Sequence, residues 1–236
     1  MKIKWLCTQM LLVCMLVFQA TAMAEGKKIR YAAKTSIPSD YWIGQLDLEG
    51  TGYAIDIDTE KGPIYVAGET EHNPLIIKYT KPGQLAWSVK GQANGFGKAL
   101  ARDRFGGIYI AGYEMSEESI VGFVSKHWNS DGRLIWKKII AGPAANFATH
   151  IAVDTAGNII VAGFTNGIVD TTQITLGSSD LFIVKYNLKG EQLWIKQLGS
   201  ELEDIPDSLS LDQNDNIYLF ATANNRLEFY KKLIIK

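Results

Sequence analysis

Between Ala148 and Gly199, apolar and polar positions alternate in four short runs, ATHIAVD, IIVAGFT, DLFIVKYN and QLWIKQLG. TAGN, a polar loop and LKGE separate them. A period of two, punctuated by Gly, Asn and Asp, predicts four antiparallel strands rather than helices. The same pattern recurs along most of the chain, so it describes a unit.

The unit begins with an Asp that closes an apolar run, then a turn, then a second run ending near Ala-Gly. It reads IDID-TEKGP-IYVAG, LARD-RFGG-IYIAG, IAVD-TAGN-IIVAG and LSLD-QNDN-IYLFA, with the aspartates at Asp58, Asp103, Asp154 and Asp212. Its second half repeats as LIIKY, FVSKH and FIVKY, each followed by a turn and a Trp run with Gly four residues before Trp: Gly83/Trp87, Gly132/Trp136 and Gly190/Trp194. Self-similarity at this period, each repeat a four-stranded meander, predicts β-propeller blades. The first strand of each unit is expected nearest the axis and the Trp strand outermost.

Trp42 stands before Asp58 as Trp87 stands before Asp103, yet no first three strands precede it. The last unit has two clear strands, an expected third in RLEFYKK, and no Trp strand. The strand around Trp42 is therefore expected to complete the C-terminal blade, closing a ring of about four blades and removing its edges. A closed ring predicts a monomer; the rival is a fragment of a larger ring completed by self-association.

Asp154, Gly157, Asn158, Gly163, Asp180, Phe182, Lys185, Gly190 and Trp194 together resemble the bacterial β-propeller repeat family called SBBP, for seven-bladed β-propeller. The resemblance covers Trp42 to about Ala221. It implies an exported bacterial repeat protein without a generally assigned catalytic activity. This chain departs in carrying about four units rather than seven, and its last copy has Ala221-Thr222 where the others have Gly. The G-x-x-x-W turns also resemble quinoprotein propeller repeats, but the vicinal Cys pair of many such enzymes has no counterpart here.

The N-terminus is a different object. Lys2 and Lys4 precede an apolar run from Leu6 to Phe18, followed by Ala22-Met23-Ala24. This pattern predicts a signal peptide over 1–24 with cleavage after Ala24, the run being short for a membrane span; an uncleaved anchor is the alternative. A lead segment over 25–40 and the propeller domain over 41–236 follow. Cys7 and Cys14, the two cysteines of the chain, lie in the segment expected to be removed. The mature protein would then have no disulfide, thiolate nucleophile or Cys-ligated zinc. Removing Lys2 and Lys4 from 24 basic residues leaves 22 against 25 acidic ones, a formal charge of −3. That balance argues against nucleic acid as the partner, and no further apolar run reaches membrane-spanning length.

The candidate chemistry is sparse. The four repeat aspartates are expected to accept turn amides, with a bound ion as the alternative. Asp212-Gln-Asn214-Asp-Asn216 starts like a calcium loop but has Ile217 and Ala223 where the loop needs Gly and Glu. Trp42, Trp87, Trp136 and Trp194 are expected to bury the faces between blades. Lys78, Lys126 and Lys185 read as blade-surface charges, and His72 and His127 as loop residues open to solvent. No GxSxG, Walker or GxGxxG motif is present, and no cofactor or metal ligand set is expected. What does not repeat is the longest insertion, Thr165 to Asp180, and Trp128, which breaks the pattern after His127. Asp170, Thr171, Thr172, Gln173, Asp180 and Trp128 are thus the candidate binding residues, for a protein or glycan partner. The expected function is an exported, non-enzymatic binding scaffold; the alternative is a propeller-based hydrolase or lyase acting on a polymer.

Overall fold

The computed structural model describes residues 49–58, 62–80, 84–140, 142–172, 177–223 and 226–231. The expected strand around Trp42, and with it the closing of the ring, lies outside the described residues, as do Gly83 and Gln173. The described strands form four antiparallel sheets, each a meander whose order follows the chain. The first contains β1 (Gly50–Ile57), β2 (Ile64–Thr70), β3 (Asn73–Tyr79) and β4 (Leu85–Lys90). The second contains β5 (Gly95–Arg102), β6 (Gly107–Met115), β7 (Ile120–Trp128) and β8 (Leu134–Ile140). The third contains β9 (Asn146–Val153), β10 (Ile159–Thr165), β11 (Asp180–Tyr186) and β12 (Gln192–Leu198), and the fourth β13 (Asp204–Leu211), β14 (Ile217–Ala223) and β15 (Arg226–Lys231). These are the blades that the repeats predicted.

Successive blades pack face to face. The first strand of each leans on the blade before it: β5 on β1 and β2, β9 on β5 and β6, β13 on β9 and β10. The first strands thus form the inner wall and the Trp strands the outer edges. Three apolar layers fill the gaps between sheets. Tyr65, Ile76, Ile108 and Phe123 join the first blade to the second, and Tyr109, Val124, Ile159, Val161 and Phe182 the second to the third. Ile160, Leu181, Ile183 and Leu219 join the third to the fourth. Each such side chain contributes about 1.5–3 kcal/mol on burial.

The Trp–Gly spacing has a geometric reason that spans two blades. Trp136 on β8 donates its indole N–H to the Leu188 carbonyl of the next blade at 3.2 Å. Its ring lies so close to Gly190 that a Cβ there would come within 2.9 Å of it. Trp87 on β4 does the same one blade earlier, donating to the Asn129 carbonyl at 3.1 Å and packing on Gly132. Gly132 and Gly190 have φ of +73° and +77°, which L-residues rarely adopt. Each turn therefore meets two demands through one residue, a positive φ and room for the neighbouring indole.

Two substitutions test this lock. Trp136→Phe keeps the ring but removes the indole donor, and should cost about 1 kcal/mol in urea unfolding. Gly190→Ala adds both strain and overlap, and should cost about 1–3 kcal/mol. A Gly190→Ala protein as stable as the wild type would show that the turn is not confined by the indole.

The β2–β3 hairpin turns through Glu71 and His72, both at positive φ (48° and 60°). Two-residue hairpins favour that geometry, but with Asn-Gly rather than Glu-His. The double substitution Glu71→Asn/His72→Gly should raise stability by about 1 kcal/mol. The Glu71–Lys90 ion pair it removes is exposed and offsets little of this. Thermal unfolding of the two proteins side by side reads the difference.

Candidate functional site

Each inner strand ends at the same carboxylate, and the structure shows what occupies it. Asp154 accepts from the Asn158 amide (2.7 Å), the Asn158 side chain (2.8 Å) and Ala156 N (3.0 Å), with Lys185 Nζ at 2.8 Å. Asp103 accepts from Gly107 N (2.6 Å), Phe105 N (2.8 Å) and the Tyr109 hydroxyl (2.6 Å). Asp212 accepts from Asn214 N, Asn216 N, the Asn216 side chain and the Tyr218 hydroxyl. Arg102 reaches back from the second blade to Asp58 at 3.1 Å and Asp56 at 2.8 Å. Burial pushes the Asp154 carboxyl up, but Lys185 and the Asn158 donors outweigh it and hold it below its ordinary value. The Asn216 side chain and amide hold Asp212 down at about 2. These aspartates close turns.

The recurring lysines differ from their expected place on the blade surface. Lys185 and Lys126 keep only 20% and 14% of their side chains exposed, and they face Asp154 and Asp103. Lys78 donates to Asn129, through both its carbonyl (2.9 Å) and its side chain (2.7 Å). The physical reason is that a buried carboxylate needs a countercharge, and the lysine on the third strand is the one within reach.

His127 also departs from expectation, because it is buried rather than open to solvent. Its Nε2 lies 2.9 Å from Ser125 Oγ and its Nδ1 2.9 Å from the Gly132 carbonyl. A hydroxyl beside an imidazole has the form of a nucleophile–base pair. Ser125 and His127 are only 4% and 8% exposed, so no substrate reaches them. His72 is exposed, as expected.

At the turn ends, a depression of about 440 Å³ opens between the second, third and fourth blades. Asp103, Asp154, Asp212, Asp215, Arg102 and Arg104 line much of it. Asp215 accepts from Thr155 N (2.9 Å) and Thr155 Oγ1 (2.5 Å), tying the fourth blade to the third. Most charged groups around the depression are thus held by neighbours, which leaves Arg104 as an exposed charge at its rim.

The residues singled out in the sequence fall at opposite ends of the strands. Trp128 ends β7 on the Asp-turn face and is 48% exposed, a position open to a ligand. The Thr165–Asp180 insertion joins β10 to β11 at the other face, so Trp128 and the insertion do not share one site. Within the insertion, Thr171 and Thr172 are exposed, while Asp170 and Asp180 are only 3% and 1% exposed. Both carboxylates turn inward, that of Asp180 onto Gln197. Its amide donates to Asp180 at 2.7 Å and to the Gly167 carbonyl at 2.9 Å, and its oxygen accepts from Val169 N at 2.9 Å. Asp170 holds Thr172 through two hydrogen bonds, with Lys196 Nζ at 3.8 Å. The base of the insertion is tied to the next blade, where Asp204 N donates to the Ser179 carbonyl at 2.9 Å.

Asn129, beside Trp128, is a residue the sequence reading passed over. Its side-chain oxygen accepts from Tyr65 and Lys78, both at 2.7 Å, and its carbonyl from Trp87, all in the preceding blade. No repeat signal marks it, because Leu188 serves the Trp lock in the third blade through its backbone.

No family model matches the chain. A stretch of 110 residues is 28% identical to an uncharacterised WD repeat-containing protein, L264, of Acanthamoeba polyphaga mimivirus; it covers 38% of this chain and 8% of that protein. Among solved structures, a protein of unknown function from Bacteroides caccae aligns with 80% of this chain and 64% of its own, at 11% identity and a TM-score of 0.49. The quinohemoprotein alcohol dehydrogenase ADHIIG of Pseudomonas putida HK5 aligns with 74% of this chain and 34% of its own, at 16% identity and a TM-score of 0.45. The chain therefore spans less than two thirds of each of these proteins. The propeller architecture itself rests on the four sheets and their packing. Among the described residues, no helix is long and apolar enough to cross a membrane.

Buried His127 and half-buried His150 make stability depend on pH. Burial pushes both His127 and His150 below the ordinary imidazole value. The unfolded chain then binds their protons first, near pH 6.5, so their contribution is full above that value and is lost as pH falls through the lower folded values. The melting temperature should fall between pH 7 and pH 5, and His127→Gln should flatten that slope. An unchanged slope in the variant would remove His127 from the effect.

Proposed function

We propose that this protein is an exported, non-enzymatic propeller of SBBP-like repeats that binds a protein or glycan at the bacterial envelope or outside the cell. The observation that carries this reading is the use made of the repeated charges. Asp103, Asp154 and Asp212 accept turn donors, and Lys126 and Lys185 neutralise two of them. General acid–base chemistry needs groups free to exchange protons with a substrate, and these are held by the fold. Groups peculiar to one blade, Trp128 and the Thr171–Thr172 tip, are exposed instead. The signal-peptide pattern before Ala24 supports export, and the Trp42 strand supports closing of the ring and a monomer.

The test uses the full exported chain as bait on envelope and culture-medium fractions, alongside turnover assays on polysaccharides. The wild type should retain a partner and release no product. Trp128→Ala and Thr171→Ala, at opposite faces, should separate which end holds the partner. Steady product release would overturn the reading in favour of a hydrolase or lyase.

A further inference from the structure

The inner wall carries an irregularity that repeats in backbone but not in chemistry. In each inner strand the antiparallel register slips once, leaving one residue without a partner: Tyr53 in β1, Lys98 in β5, Thr149 in β9 and Asp207 in β13. Each is the fourth residue of its strand. A bulge of this kind re-aims the side chain of its extra residue. The backbone around it is uniform, with Gly68, Gly112 and Gly163 facing the first three slips. A Cβ on those glycines would come within 2.1, 1.8 and 2.0 Å of the inner strand's carbonyls. The bulged side chains, by contrast, are a phenol, an ammonium, a hydroxyl and a carboxylate. Packing alone gives no reason to hold one backbone distortion four times and vary its chemistry four times.

Their contacts point to a ligand. Lys98 Nζ stands 3.5 Å from the Tyr53 ring centroid, and among the described residues no carboxylate lies within hydrogen-bonding reach of it. A half-buried ammonium over an aromatic face, with no counterion among the described residues, matches an anion brought by a ligand. The Tyr53 ring meets Phe96 at 6.1 Å, and Phe96 meets Tyr113 at 5.2 Å, so half-buried aromatic surface continues beside the ammonium. On the third and fourth blades, Thr149 Oγ1 sits 2.9 Å from His150 Nδ1, and Asp207, which is exposed, accepts from Thr222 Oγ1 at 2.6 Å. Hydroxyl and carboxylate acceptors there suit a ligand rich in hydroxyl groups.

We propose that these four bulges form a binding site for an acidic oligosaccharide, with its carboxylate on Lys98, an apolar sugar face on Tyr53 and Phe96, and ring hydroxyls on Thr149 and Asp207. This site deepens the reading of the protein as a binding propeller and rests on it.

Calorimetry on the full chain tests it, with four probes: trigalacturonate, its methyl ester, maltotriose and triglutamate. Trigalacturonate should bind, and the ester and maltotriose should bind about tenfold more weakly or worse. Lys98→Met should lose about tenfold for trigalacturonate, while Lys98→Arg, which keeps the charge, should stay within about threefold. The inference is overturned if trigalacturonate does not bind, if acid and ester bind alike, if a folded Lys98→Met protein keeps full affinity, or if triglutamate binds as tightly. A partner captured from envelope fractions by a wild type that does not bind trigalacturonate would sink this site and spare the binding reading, whereas cleavage of trigalacturonate would sink the reading itself.

Discussion

A four-stranded sheet has two faces, and an apolar face is stable only when another sheet covers it. That constraint organises this protein. In the third blade, which has neighbours on both sides, β10 and β11 are buried at six of seven positions each. In the fourth blade β14 alternates strictly between buried and half-buried positions, and its half-buried side chains include Tyr218 and Phe220. In the first blade Ile64 and Val66 on β2 are likewise only half-buried, and Ile55 on β1 is 54% exposed. The two end blades thus keep apolar groups on faces that the inner blades bury.

Covering the faces brings charged groups with it, because the turns that end the inner strands become partly buried. A buried carboxylate without donors is costly, so each must be surrounded. The chain solves this locally, with amides two and four residues on, and then with a lysine from the third strand or a tyrosine hydroxyl from the second. The second blade shows the consequence for chemistry. Burial and the neighbouring Asp103 push the Tyr109 phenol far above its ordinary value, so it serves as a fixed donor. Groups so thoroughly committed set the geometry of the blades and are poor candidates for turnover.

This division explains what was legible in the sequence. Asp154, Gly190 and Trp194 announce the blades because a turn, a positive φ and an inter-blade indole each accept few residue types. The direction of the inserted loop's carboxylates was hidden. Asp170 and Asp180 stand in a polar stretch that reads as solvated, and their partners, Thr172 and Lys196 for the first and Gln197 for the second, are set only once the strands are placed. His127 was hidden for a similar reason, since its partners Ser125 and the Gly132 carbonyl are unremarkable until β7 and the following turn are placed in space. Nor does alternation locate Trp128 and the insertion at opposite faces; that follows from strand direction.

The bulges were legible in principle. Counting back from the repeat aspartates, Tyr53, Lys98, Thr149 and Asp207 all stand five positions before Asp58, Asp103, Asp154 and Asp212. The residue before each is small or Pro: Gly52, Gly97, Ala148 and Pro206. Hydrophobic periodicity discards such a column because its side chains share no polarity, and period-two reasoning treats an extra residue as noise. Its physical meaning is the reverse. A residue outside the ladder hydrogen bonds is under less constraint from the sheet than its neighbours, so its side chain is free to differ from blade to blade while the fold stays constant. In a structure whose repeated charges are occupied by the scaffold, that freedom is where chemistry particular to this chain is most readily held.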